Sequence, residues 1–316
     1  METIRRYIIK SPLRYPGGKT KKSIQKKILS YLPANFSEYR EPFVGGGGIY
    51  FAIPANITNK RWINDINSGL VSFYDAMISR PNEFIAQCKE IEPAKEGEPL
   101  VLSREGSSPN SKKYNARLKA KFDELKYNEE CDQALRYFFI NRTVWAGRVN
   151  YNPDMESRMY FSNPQGWNIV NTNRLEEVSE WMQGTRATCG SYKKLLEETG
   201  EDVVIYCDPP YIVDTNLDRM SQLYEFGFSI EDHEEFADAV SKCSHKVCIS
   251  YDDTKEIRSL YQGLKGFYIN EETWKYCGTA NKQKKEGKEL VITNYQIEPR
   301  NSLLGQMDFN DVVFEE

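Results

Sequence analysis

Three short runs in the second half of the chain put the strongest limit on its fold. DVVIYC (202–207), KVCISY (246–251) and ELVITNY (289–295) are dense in β-branched and aromatic residues and too brief for self-burying helices. They read as buried strands. Between the first two lies SIEDHEEFADAVSKC (229–243), a helical pattern with Ser229 placed as its N-cap. Upstream, EYREPFVGGGG (38–48) reads as a strand running into a glycine turn, and RWIND (61–65) as a strand closed by Asp65. Ile24, Ile28, Tyr31 and Leu32 share helical spacing. So do Leu70, Tyr74, Met77 and Ile78, in a helix that stops before Pro81. Strands alternating with helices predict an α/β fold on a parallel sheet.

The pattern breaks in the middle. Residues 92–115 are rich in Pro, Gly, Ser and charge and read as a long loop; 116–141 read as helical; NRTVWAGRVNYNPDMESRMYFSNPQGWN (141–168) is irregular and aromatic. The expected organisation is one catalytic domain, 1–78 and 168–300, interrupted by an insertion at 79–167 and followed by a tail at 301–316.

Composition narrows the class. An apolar fraction of 40% supports a large core, and no run approaches the ~20 apolar residues of a membrane span. The basic N-terminus lacks a signal-peptide core, so the expected location is the cytoplasm. Seven scattered cysteines without a CxxC pair suggest reduced thiols, and only two histidines disfavour histidine-based metal or triad chemistry. No metal is expected. The net charge of −4 hides nine basic residues and no acid between Thr3 and Ser37, and a later cluster that includes Lys282, Lys284 and Lys285. Local patches, more than net charge, decide phosphate binding.

Two motifs carry chemistry. EPFVGGGG lets a ligand approach the backbone, and Asp65, at the end of the next strand, suits a pair of ribose hydroxyls. Together they indicate a cofactor containing adenosine. The second motif is DPPY, Asp208 to Tyr211, directly after an apolar strand. Asp208 and the carbonyl of Pro209 can each accept one hydrogen of a planar exocyclic amine, which frees the nitrogen lone pair to attack. Tyr211 can stack on the base that bears the amine.

In this order, EPFVGGGG and DPPY resemble the Dam-type (alpha-group) S-adenosylmethionine-dependent DNA adenine-N6 methyltransferases. LRYPGGK (13–19), INDIN (63–67), FFINRT (138–143), CGSY (189–192) and the lysine-rich loop before ELVITNY agree with that family. The resemblance implies a Rossmann-like methyltransferase sheet with helices on both faces, interrupted by a mainly helical target-recognition insertion. It implies S-adenosylmethionine as cofactor, with Tyr15, Lys19, Phe43, Gly45, Gly47, Asp65 and Asp208 around it. Asp208, Pro209, Pro210 and Tyr211 become the catalytic tetrad, and Lys282, Lys284 and Lys285 phosphate contacts. Arg142 and Arg148 can contact guanine, a phosphate or a structural partner, and Trp145 reads equally as core or as a stacking wedge. TVWAGRVNYN (143–152) departs from the family pattern, so no target sequence is implied. The expected partner is duplex DNA, joined by a cognate restriction endonuclease, and the expected state a monomer. Cytosine-N4 methylation, an idle DNA-binding regulator and a dinucleotide oxidoreductase are the alternative readings; the last leaves DPPY without a role.

Overall fold

The computed structural model describes residues 6–7, 9–15, 19–91, 109–149, 159–211, 227–275, 286–298, 301–306 and 312–313. Its strands are β1 (Arg6–Tyr7), β2 (Glu38–Glu41), β3 (Arg61–Asp65), β4 (Thr185–Cys189), β5 (Val203–Cys207), β6 (Lys246–Asp252), β7 (Tyr268–Lys275), β8 (Glu286–Thr293) and β9 (Val312–Val313). Seven form a sheet in the order β4-β3-β2-β5-β6-β8-β7, and β1 pairs with β9. β2 runs parallel to β3 and β5, and β5 parallel to β6. β8 lies antiparallel to both its neighbours, which corrects the expectation of a uniformly parallel sheet. The unexpected strand β7 occupies the edge beside β8. Its exposed Glu271 suits that position, because an edge strand tolerates charge where a central one does not.

The helices are α1 (Lys22–Leu29), α2 (Ser68–Ser79), α3 (Pro81–Glu90), α4 (Pro109–Lys126), α5 (Gln133–Thr143), α6 (Arg174–Trp181), α7 (Lys193–Glu197), α8 (Ile230–Lys242), α9 (Lys255–Tyr261) and α10 (Leu303–Gln306). Contacts divide the chain into two compact units: Met1–Lys10, Lys19–Ile66 and Thr188–Glu316; and Ser11–Gly18 with Asn67–Ala187.

In the first unit, strand alternation sorts side chains onto two faces. Val203, Ile205, Val247, Ile249, Leu290 and Ile292 point to one face, where Phe236 and Val240 of α8 and Ile257 of α9 meet them. Each such burial contributes roughly 1.5–3 kcal/mol. The opposite face carries Tyr206, Ser250, Asp252 and Glu289. On that face Lys27 of α1 and Tyr31 beyond it reach Glu272 of β7 at 2.7 and 2.9 Å, so helices lie on both faces. α8 begins as expected at a capping box: Ser229 Oγ accepts from the amide of Asp232, and Asp232 Oδ2 accepts from that of Ser229.

The second unit is helical. Asn67 caps α2 by accepting from the amide of Leu70 at 3.0 Å, and Pro81 both stops α2 and opens α3. The single helical region expected over 116–141 is two helices, because Asp132 Oδ1 accepts from the amides of Ala134 and Leu135 and starts α5 afresh. α4 begins at Pro109, so the end of the expected loop is helical; residues 92–108 lie outside the described residues. The core stacks Phe73 against Phe138, ring centres 4.9 Å apart, with Trp167 edge-on to Phe139 at 4.7 Å.

Candidate active site

β5 ends at Cys207 and delivers Asp208 to the edge of the sheet. Lys19 Nζ lies 2.9 Å from Asp208 Oδ1, with Lys19 only 4% exposed and Asp208 21%. Ser250 Oγ donates to the same oxygen at 2.8 Å, and the hydroxyl of Tyr211 is 3.2 Å away. A serine hydroxyl carries one proton. Ser250 gives its proton to Asp208, so the 2.8 Å contact between Tyr206 OH and Ser250 Oγ runs from the tyrosine to the serine. A fully buried relay, Tyr206 to Ser250, therefore fixes Asp208 from beneath. Among the described residues every donor to this carboxylate goes to Oδ1. Oδ2 is the oxygen that these donors leave available as an acceptor.

Tyr211 is held at its tip. Lys19 Nζ donates to its hydroxyl, and the hydroxyl lies 2.9 Å from Glu289 Oε2, closer than to Asp208. Burial, then Asp208 and Glu289, push the Tyr211 phenol well above its ordinary range. Asp252 pairs directly with Glu289 across β6 and β8. Burial raises the Asp252 carboxyl, while Lys19 and a hydrogen bond with Glu289 pull it back. Glu41, at the end of β2, is driven well above the usual carboxylate range by burial and accepts from Tyr39 OH at 2.6 Å. Asp208 and Asp252 thus lie near Lys19, while burial favours the uncharged forms of Asp252 and Glu41.

The glycine turn sits beside this cluster in sequence. Gly45 and Gly47 have φ of 45° and 70°, a region that glycine enters without steric cost. The amide of Gly45 donates to Asp65 Oδ2 at 2.9 Å, so the acid at the end of β3 orients the turn. Gly48 has its own reason: a Cβ there would lie 2.8 Å from the backbone carbonyl carbon of Lys19. Phe43 packs among Tyr192, Phe228 and Phe236, with ring centres 5.4 to 5.7 Å away. This combination fits an adenosine-bearing cofactor: backbone open to close approach and a carboxylate held at a strand end.

The structure gathers Lys19, Asp208 and Tyr211 at one point and places Phe43, Gly45, Gly47 and Asp65 on the adjoining turn and strand end. Pro209 is buried and Pro210 half-buried, between Asp208 and Tyr211. Tyr15 is half-buried and belongs to the second unit, whereas Lys19 belongs to the first. Ser250, Asp252, Glu289 and Glu41 were missed by sequence reasoning. The available signal was polarity at alternate positions of strands that otherwise read as continuous apolar runs.

In the second unit, Arg142 donates from Nε to the carbonyl of Gly166 at 2.9 Å and from Nη1 to that of Pro12 at 3.0 Å. Burial, helped by nearby Arg14, lowers its guanidinium to about 10. Asn141 brackets Arg14, donating to its carbonyl at 2.7 Å and accepting from its amide at 3.0 Å. Trp145 is 53% exposed, which excludes the core reading, and the Arg148 guanidinium lies 4.6 Å from its ring centre. Lys282, Lys284 and Lys285 lie outside the described residues. Among the described residues no helix is long and apolar enough to cross a membrane.

A family model described as D12 class N6 adenine-specific DNA methyltransferase matches residues 15–277. The type II methyltransferase M1.LlaDCHI of Lactococcus lactis subsp. cremoris is 24% identical, over 89% of this chain and 94% of its own length. A DNA adenine methylase of Vibrio cholerae is 27% identical over 79% and 84%. The type II methyltransferase M.MjaIII of Methanocaldococcus jannaschii is 25% identical over 91% and 99%.

Proposed function

The chain belongs to the D12 class N6 adenine-specific DNA methyltransferase family, and from that premise we propose that it moves a methyl group from S-adenosylmethionine to a flipped adenine, with Asp208 and Tyr211 at the reacting amine. The observation that carries this reading is the one-sided anchoring of Asp208 at the end of β5: Lys19 and Ser250 engage Oδ1 and leave Oδ2 to accept. Oδ2 accepts one hydrogen of the N6 amine and the carbonyl of Pro209 the other. The two acceptors draw the nitrogen lone pair out of conjugation and stabilise the positive charge that grows on it. Tyr211 stacks on the extruded base, an interaction of ~1–3 kcal/mol that offsets much of the few kcal/mol needed to unstack it.

S-adenosylmethionine supplies an electrophilic methyl group on a sulfonium centre. The residues that would hold it are Lys19, Phe43, Gly45, Gly47 and Asp65, with Tyr15 in the N-terminal segment. The insertion at 79–167 is assigned to target recognition, with exposed Trp145 and half-buried Arg148 as its contacts to DNA. Arg142 is assigned to hold residue 12 and, with Asn141, the segment before the site; a direct base contact is the second reading of this residue. Lys282, Lys284 and Lys285 are assigned to phosphates. Type II names among the relatives favour a restriction-modification system, with a cognate endonuclease as the partner acting on the same site. A monomer acting in the cytoplasm completes the reading.

The test is incubation with methyl-labelled S-adenosylmethionine and duplex DNA of varied sequence, followed by digestion to nucleosides. Label is expected in N6-methyladenine. Label in N4-methylcytosine, or none in DNA, would overturn the reading. Asp208→Ala should abolish transfer while calorimetry still detects cofactor binding.

A further inference from the structure

A fully buried acid on a core strand calls for a partner, because an unpaired carboxyl away from water is among the most costly groups a fold can hold. Glu289 is 0% exposed and stands at the head of the apolar run Leu290 to Ile292. Its Oε2 takes the hydroxyl of Tyr211 at 2.9 Å. Across the sheet it pairs with Asp252, whose side chain points to the same face. We propose that Glu289 is a positioning residue for methyl transfer: from the reversed strand β8 it fixes the Tyr211 hydroxyl, and through it the plane of the ring that receives the flipped adenine.

The geometry makes the role specific. Tyr211 follows two prolines, so its backbone is stiff on the N-terminal side, but its ring still turns about the side-chain torsions. Tyr251 is the ring beside it, centres 6.2 Å apart at 43°, a contact too loose to set a plane. The hydroxyl end is gripped instead. Lys19 donates to it and Glu289 accepts from it, so the phenol has both a proton source and a proton acceptor in fixed places. Lys19 also binds Asp208 and is tied to the catalytic carboxylate. Glu289 is the tether that β8 adds to the ring. The neighbouring carboxyl of Asp252 shares a hydrogen bond with Glu289, which accounts for two acids side by side in a buried place.

This inference rests on the reading of Tyr211 as the base-stacking residue, and its test separates the two. Turnover of wild type, Glu289→Ala, Glu289→Gln, Tyr211→Phe and the Glu289→Gln and Glu289→Ala combinations with Tyr211→Phe is measured on methylatable duplex DNA. Glu289→Ala should lower kcat about tenfold, the rate equivalent of one lost buried hydrogen bond, with KM for the cofactor changed less than twofold. Glu289→Gln keeps a carbonyl acceptor for Tyr211 and should restore most of the loss. In Tyr211→Phe the hydroxyl is already gone, so adding Glu289→Ala should cost little more, a coupling that a merely structural role would not produce. Additive effects, or a Glu289→Ala enzyme as fast as wild type, would overturn the assignment. If Glu289→Ala does not fold, the cycle is run with Glu289→Leu and Glu289→Gln, and a Gln variant that falls as far as Leu at equal folded fraction overturns it. A wild-type protein that methylates no DNA would instead sink the functional reading.

Discussion

Lys19 and Asp208 form an ion pair of 2.9 Å, joining the residue just ahead of α1 to the end of β5. Removing one partner of a buried pair strands the other, typically at ~3–5 kcal/mol. Asp208 is one-fifth exposed, so the lower end applies here. Lys19→Met should therefore lower the thermal midpoint and reduce methyl transfer more than tenfold. Turnover equal to wild type in a folded Lys19→Met protein would show that the pair has no part in the site.

Gly48 tests how the lysine gets there. Any Cβ at this position meets the Lys19 backbone at 2.8 to 3.1 Å, and neither backbone can retreat easily. Overpacking of this kind costs ~1–3 kcal/mol, and the displaced lysine should weaken transfer along with stability. Gly227→Ala is the control, since a Cβ there meets nothing within 4 Å. Equal behaviour of the two variants in calorimetry and turnover would refute the idea.

Trp145 should separate binding from folding. At 53% exposure its removal should change the unfolding free energy by no more than ~0.5 kcal/mol. Loss of a stacking ring, worth ~1–3 kcal/mol per base, should weaken duplex binding roughly tenfold or more by fluorescence anisotropy. Unchanged affinity in Trp145→Ala would remove this ring from the DNA contact.

His233 sets a pH dependence. Its ring is buried, Nδ1 is 3.0 Å from Tyr251 OH, and burial lowers its pKa to about 4. In the unfolded chain the same ring titrates near ~6.5. Between those values the unfolded state binds the proton and the folded state does not, so stability falls as pH drops from about 6.5 towards 4, by roughly 3 kcal/mol at the lower end. Urea unfolding at several pH values should show this slope, and His233→Gln should lack it. Identical slopes in the two proteins would mean that the ring titrates normally.

Much of the site was legible because it is written as short local strings. Gly45, Gly47, Asp65 and Asp208 lie at strand ends, and a strand end announces itself where an apolar run stops on a glycine or an acid. The α8 cap was legible for the same reason: Ser229 and Asp232 satisfy each other within one turn. Ser250 and Glu289 were hidden because their meaning lies in pairing. Which strand neighbours β5, and in which direction β8 runs, is decided by packing across the sheet rather than by any string. The break between α4 and α5 turned on one capping aspartate, Asp132, that periodicity alone passes over. Trp145 was ambiguous because an aromatic ring in an irregular segment serves equally well inside or outside, and only exposure separates the two.

The reversed strand β8 also has a kinetic consequence. The Tyr211 hydroxyl is gripped by Lys19, 192 positions away in sequence, and by Glu289, 78 positions away on the other side. Contacts of such separation close large loops and form late in folding. While the ribosome has yet to deliver β8, the growing chain already holds the glycine turn, DPPY and Lys19 but lacks the carboxylate that takes the Tyr211 hydroxyl. Full fixation of the Tyr211 hydroxyl is thereby reserved for molecules whose sheet is complete.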